Sequence, residues 1–178
     1  VYDGQRHESI LRYPELAERA FVISSFGKTY HVTGWKTGYC VAPDFLMQEF
    51  RKVHQFVSFV GVTPVQYALA DFMKHHPSHC LELPQFYQTK RDLFRQALGQ
   101  SRFRLLHSSG TYFQLADYSE ISDQPDTEFV KYLTKQVGVA AIPVSVFYET
   151  APADRIVRFC FCKEDATLKR AADILAGC

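Results

Sequence analysis

The stretch SSFGKTYHVTGWKTGYC, from Ser24 to Cys40, holds the residues best suited to covalent chemistry. Ser25 precedes Lys28 by three positions and Lys36 follows it by eight, in a run too rich in Gly, Ser and Thr to be continuous helix. A serine beside a lysine can be activated as a nucleophile, or the lysine can itself attack a carbonyl and hold it as a Schiff base. The second chemistry needs a neutral amine. A free lysine has a pKa of about 10.4, so a nearby cation or desolvation must help it lose its proton. Lys36 is a cation close in sequence to Lys28.

Flanking elements must hold these residues. FVIS, from Phe21 to Ser24, and GYCVA, from Gly38 to Ala42, have the apolar content of short buried strands, so the Ser–Lys–Lys run lies between two strands. PELAERA, from Pro14 to Ala20, reads as a short helix with a proline in its first turn, where the missing N–H is tolerated. After Pro43-Asp44, the apolar residues Leu46, Phe50, Val53 and Val57 recur at spacings of four and three, which predicts a long helix. Gly61 and Pro64 interrupt it, a second helical phase, VQYALADFMKHH, runs to Pro77, and a third spans Leu83 to Gln100. Strands are then expected near 103–106, 112–116, 139–144 and 155–162, with helices over 126–137 and 164–176. Alternation along the last strand sets Val157, Phe159 and Phe161 on one face and leaves Arg158 on the other with Cys160. The fold class is therefore α/β. Residues 1–45 form the end of an α/β part, 46–76 a connecting helical region and hinge, and 77–178 a separate small α+β domain.

Composition narrows the function. The 178 residues are 47% apolar and 15% aromatic, enough for one substantial core. Lys and Arg number 20 against 19 for Asp and Glu, which leaves no basic field to hold nucleic acid and no charged patch for a membrane surface. The five cysteines, Cys40, Cys80, Cys160, Cys162 and Cys178, are odd in number and never spaced as C-x-x-C, which speaks against a disulfide framework or a structural zinc site and for a cytoplasmic setting. No metal ligand set is evident. No apolar run reaches the roughly 18 to 20 residues that cross a bilayer, and the first residues lack the features of a signal peptide.

Ser25-Phe26-Gly27-Lys28 fits S-x-x-K and Lys36-Thr37-Gly38 fits K-T-G, two elements of penicillin-binding proteins and β-lactamases. The fit is superficial. In that serine acyl-transfer chemistry K-T-G lies far along the chain, whereas here the two motifs are eight residues apart with no S-D-N between them. If Lys28 instead holds the carbonyl of pyridoxal phosphate, the cofactor's phosphate needs hydroxyl, backbone and cationic donors close to the lysine. Ser25 and Lys36 are those donor types, and glycines at 27 and 34 leave room for backbone to approach a cofactor.

The segment SSFGKTYHVTGWKTGYCVAP resembles the cofactor-lysine segment of the class I and II pyridoxal-phosphate aminotransferases of fold type I, in the branch of methionine and kynurenine/glutamine transaminases. VYDGQRHESI, RKVHQ (Arg51 to Gln55), GTYF (Gly110 to Phe113), VAAIPVSVFY (Val139 to Tyr148) and VRFCFCKEDATL (Val157 to Leu168) resemble the same branch, in family order. The resemblance covers essentially the whole chain and matches the C-terminal half of such an enzyme: the end of the large cofactor-binding domain, the long connecting helix and the small domain.

The resemblance implies that Lys28 is the Schiff-base lysine and the acid/base that moves the α-proton, with Ser25 and Lys36 on the cofactor phosphate. It implies Arg158 as the partner of the substrate α-carboxylate, with Arg155 the nearest rival. Phe59 is either an aromatic of the substrate pocket, reaching across a homodimer with shared active sites, or a core phenylalanine; Trp35 is read as packing. The implied reaction is ping-pong transamination between an amino acid and a 2-oxo acid, with apolar, aromatic-rich segments favouring methionine, aromatic or kynurenine-like substrates. The family's D-E-V-Y element, glycine-rich phosphate loop and ring-stacking aromatic belong to its N-terminal half, so Tyr2 and Asp3 are not the tyrosine and aspartate that contact the cofactor. The competing expectation is a non-catalytic remnant that serves only dimer contacts.

Overall fold

Two strands flank the Ser–Lys–Lys run, but they pair with each other and stay open to solvent. The computed structural model describes residues Val1–Cys178 and divides into two compact units, Arg6–Leu83 and Val1–Gln5 with Pro84–Cys178. In the first, a short helix α1 (Pro14–Ala17) leads into β1 (Val22–Ser25), a single helical turn α2 (Phe26–Thr29), and β2 (Gly38–Val41). β1 and β2 are antiparallel, with Ser25 opposite Gly38 and Val22 opposite Val41. Ile23 is 75% exposed. The apolar content of both strands reads as burial, but a two-stranded sheet leaves each strand one open edge. Helices α3 (Asp44–Val57) and α4 (Thr63–His75) follow, as their periodicity predicts. Of this unit only Gly27 and Leu69 are fully buried, while Phe45, Val53, Phe56, Val57 and Tyr67 stand in solvent.

Helix α5 (His79–Leu98) begins four residues before the expected start at Leu83. Pro84 therefore sits in the second turn, where its missing N–H removes one backbone bond. The second unit is then an antiparallel sheet in the order β3-β4-β6-β5, with β3 (Arg104–Leu105), β4 (Phe113–Asp117), β5 (Ile142–Pro143) and β6 (Ile156–Cys160). The expected strand over 139–144 shrinks to two residues at the sheet edge, where Pro143 cannot donate to a further strand. Helix α6 (Asp126–Tyr132) runs on as a π-turn over Leu133–Val137 and stops at Gly138, whose φ of 87° suits a residue without Cβ. Helix α7 (Asp165–Ala176) closes the chain.

Alternation builds this unit's core. Val157, Phe159 and Phe161 are buried along one face of β6 and its continuation, with Ala116 and Gln114 on the neighbouring strand. Phe159 meets Phe94 of α5 at 5.9 Å and Phe103 at 5.5 Å between ring centroids, and Leu98, Leu133, Leu168 and Leu175 complete the packing. Each such side chain contributes about 1.5–3 kcal/mol by leaving water. The buried Gln114 is fully paired: its amide donates to the carbonyls of Leu106 and Leu115, and its carbonyl accepts from Arg95 of α5 at 2.7 Å.

Asp126, at the first turn of α6, is buried and accepts from the backbone N–H of Ser145 at 2.7 Å and from its hydroxyl at 2.6 Å. Burial pushes the carboxyl up, but the Ser145 bonds outweigh it and hold the pKa below the ordinary value. A depressed pKa stabilises the fold above the unfolded value of about 3.9, and that contribution is lost as pH falls through the folded value. Asp126→Asn should therefore lower the melting temperature at neutral pH and flatten its decline below about pH 4. Thermal melts over a pH series check this; an acid decline as steep as that of the unaltered protein would contradict it.

Candidate functional site

Lys28 lies in the one-turn helix α2, whose fold is set by its neighbours. Ser25 caps the turn, its Oγ accepting from the N–H of Gly27 at 3.0 Å. The carbonyl of Gly27 accepts from the N–H of Val32 at 2.9 Å and from Thr33 Oγ1 at 3.2 Å, which folds the following loop over the glycine. A Cβ at Gly27 would lie 3.1 Å from Thr33 Cα, so the small residue is demanded by the chain's own packing, whereas Gly34 faces open space. The far end of the turn is pinned as well. His79 Nε2 contacts the carbonyl of Thr29 at 2.7 Å, and the His79 ring stacks on Tyr30 with centroids 5.3 Å apart. The Tyr30 hydroxyl pairs with Cys80 Sγ at 3.2 Å; this bond, aided by burial, pushes its pKa up to about 12. The Lys28 side chain itself is exposed and forms no salt bridge.

Lys36 follows a 3-10 turn, Thr33–Trp35, and adopts the left-handed conformation with φ 53°. It lines a cavity of about 660 Å³ with Phe26, Trp35, Tyr39, His54 and Leu69. Trp35, read from sequence as packing, is 43% exposed and forms part of that wall. Ser25 and Lys28 share the lysine turn, but neither lines the Lys36 cavity. Phe59, just past the end of α3, takes a φ of 60°, uncommon for a bulky residue, and is 79% exposed.

Arg158 lies at the centre of β6, opposite Leu115 on β4 and Ile142 on β5. Its guanidinium carbon is 4.1 Å from the ring centroid of Phe113 and 5.1 Å from that of Phe147, a cation–π sandwich. The Nε atom is buried and has no hydrogen-bond partner. The group lines a cavity of about 590 Å³ with Ser108, Thr111, Leu115, Val144 and Tyr148. A buried donor of this kind is costly until an acceptor meets it, and a carboxylate matches the guanidinium fork. Arg155 is engaged already, bonded to Asp123 at 2.9 Å.

Phe113 and Phe147 are functional candidates that sequence reasoning passed over. Strand alternation sets Phe113 on the Arg158 face, a signal available in GTYF; Phe147 reaches the guanidinium only because Asp126 anchors the Ser145–Phe147 turn, which no local pattern announces. No group of three or more His, Cys, Asp or Glu side chains is gathered to hold a metal ion, and no helix is long and apolar enough to cross a membrane.

Comparison with known proteins gives this geometry a family. The family model described as aminotransferase class I and II matches residues 1–175. The methionine aminotransferase of Escherichia coli (strain K12) is 51% identical over 98% of this chain and 45% of its own length. Human kynurenine–oxoglutarate transaminase 1 is 36% identical over 95% of this chain and 45% of its own length. Among solved structures, an Escherichia coli methionine aminotransferase superposes with a TM-score of 0.95 at 50% identity, covering 99% of this chain and 47% of that one. N-Succinyldiaminopimelate aminotransferase from Mycobacterium tuberculosis superposes with a TM-score of 0.90 at 36% identity, covering 99% and 46%. The chain thus spans about half the length of the curated relatives it matches, with the α/β architecture of fold-type I aminotransferases. The chain belongs to the class I and II aminotransferases.

Proposed function

We propose that this chain carries the Schiff-base lysine, the phosphate contacts and the carboxylate arginine of a pyridoxal-phosphate transaminase. It would move the amino group of methionine, an aromatic amino acid or a kynurenine-like amino acid to a 2-oxo acid. The observation that carries the reading is Arg158, whose buried Nε has no partner although the guanidinium faces a cavity with aromatic walls.

The donor set fits the cofactor. Lys28 offers a primary amine with no competing ion pair, and Lys36 an ammonium of the same kind. The Ser25 hydroxyl uses one lone pair on Gly27 and keeps its O–H free to donate to a phosphate oxygen. When bound, pyridoxal phosphate supplies the aldehyde and the electron sink that make an amino acid's α-hydrogen removable. The chain's own part is positional. The amine of Lys28, on a turn pinned at both ends, takes the α-proton and returns it at the other carbon. Arg158 fixes the α-carboxylate through two parallel N–H···O bonds, and the flanking rings keep water from competing for them. The Val144, Leu115 and Tyr148 walls support an apolar or aromatic side chain over a second charge.

The exposed Phe45, Val53, Phe56, Val57 and Phe59 support a homodimer, with Phe59 of one copy reaching the substrate pocket of the other. They are equally available to a remnant that only makes dimer contacts. Five free cysteines support a reducing compartment such as the cytoplasm.

In the intact protein loaded with pyridoxal phosphate, borohydride reduction should leave a phosphopyridoxyl group on Lys28 alone. Peptide mapping that finds it on Lys36, or on no lysine, would remove the assignment. Arg158→Lys keeps the charge and loses the fork, so the KM for the amino acid should rise roughly ten- to a hundredfold while cofactor binding is retained. Loss of cofactor with an unchanged KM would assign Arg158 a structural role. Residues 1–178 expressed alone should show no transaminase activity and bind the cofactor only nonspecifically, because ring-stacking and pyridine-nitrogen contacts are expected from outside this segment. One equivalent of cofactor held through dialysis, with turnover of methionine, would overturn that.

A further inference from the structure

One wall of the Arg158 cavity is held by residues far from it in sequence. The Asp3 carboxylate accepts two bonds from Arg91, at 2.7 and 2.6 Å, and Arg91 is only 6% exposed. The same guanidinium donates to the carbonyl of Ser108 at 2.8 Å. The Tyr2 ring lies 4.8 Å from the Arg91 guanidinium carbon and is 2% exposed. Its backbone N–H donates to the carbonyl of Ser109 at 2.9 Å, and its hydroxyl donates to the carbonyl of Thr111. The carbonyls of Ser108, Ser109 and Thr111 are thus each taken by a donor from this cluster, and all three residues line the Arg158 cavity.

Thr111 is the telling member. It has a φ of 62°, a region in which a β-branched residue persists only when its surroundings hold it there. The Tyr2 segment is shaped for the purpose: Asp3 and Gly4 both take positive φ, 59° and 70°, and the N–H of Asp3 donates to Gln88 Oε1 at 2.8 Å. With the Asp3 side chain 42% exposed, the ion pair contributes little net stability, so its value lies in the geometry it enforces.

We propose that Tyr2, Asp3 and Arg91 act as positioning residues, a latch that sets the Ser108–Thr111 loop and thereby the fit of a substrate carboxylate in the Arg158 cavity. The inference rests on the carboxylate reading of Arg158. The latch makes no contact with Arg158 itself and reaches it through the loop that shares its cavity.

Tyr2→Phe tests this in the intact protein, because it keeps the ring under Arg91 and deletes only the donor to Thr111. Amide hydrogen exchange at residues 109–113, measured without cofactor, should quicken about tenfold, and the KM for methionine should rise by a similar factor, the scale of one lost hydrogen bond. The kcat and the cofactor absorbance band should stay unchanged. Arg91→Lys, which keeps the charge and loses the fork, should move KM and exchange the same way. Arg158→Lys runs alongside. If it raises KM and Tyr2→Phe does not, the latch is overturned and the carboxylate reading stands; if it leaves KM unaltered, both fall. Exchange that stays slow in Tyr2→Phe, a kcat loss with constant KM, or a Tyr2→Phe protein that does not fold would each overturn the latch.

Discussion

A guanidinium half-buried between two aromatic rings, with no carboxylate of its own chain to meet it, is the constraint on which the Pro84–Cys178 unit turns. Withdrawing a charged donor from water is expensive unless a partner replaces the water. Arg158 is held there by β6, whose opposite face is fully committed: Val157 and Phe159 are buried against the aromatic core formed with Phe94 and Phe103. A register slip of one residue would turn Arg158 into that core and expose Phe159. The same hydrophobic alternation that stabilises the sheet therefore fixes the direction in which the guanidinium points.

The Arg6–Leu83 unit obeys a different economy. It has few buried side chains, and its lysine turn is held by the Ser25 cap, the two donors on the Gly27 carbonyl, and the contact of His79, fifty residues on, with Thr29. These hold the backbone of the lysine turn while leaving the Lys28 amine uncommitted. Under the role proposed for Lys28, this division between a tied backbone and a free side chain places the amine without consuming it. The apolar side chains of Ile23, Phe56 and Val57 are left outside this unit's packing.

What could be read from sequence was what depends on spacing along one element. The Ser25–Lys28–Lys36 run, the helix of Leu46, Phe50, Val53 and Val57, and the opposed faces of β6 are all local patterns, and each element formed near its expected place. What could not be read depends on elements distant in sequence. Phe147 stacks on Arg158 because a buried Asp126 carboxylate holds the Ser145 turn, and Tyr2 meets Thr111 across more than a hundred residues. The apolar residues of β1 and β2 read as buried, and because burial depends on the neighbours a strand has, with one neighbour each they keep an open edge here. Gly27 likewise reads as room for a cofactor, while its space is filled by Thr33.

The most direct test of a cofactor lysine at 28 and a carboxylate arginine at 158 is a crystal structure of the intact protein grown with pyridoxal phosphate and soaked with a non-reactive carboxylate analogue of methionine. The account predicts continuous density from Lys28 Nζ to the cofactor before the soak, phosphate oxygens on Ser25 and Lys36, and the analogue's carboxylate paired to the Arg158 guanidinium after it. Cofactor joined to another lysine, or a carboxylate bound elsewhere with Arg158 Nε still unpaired, would contradict it.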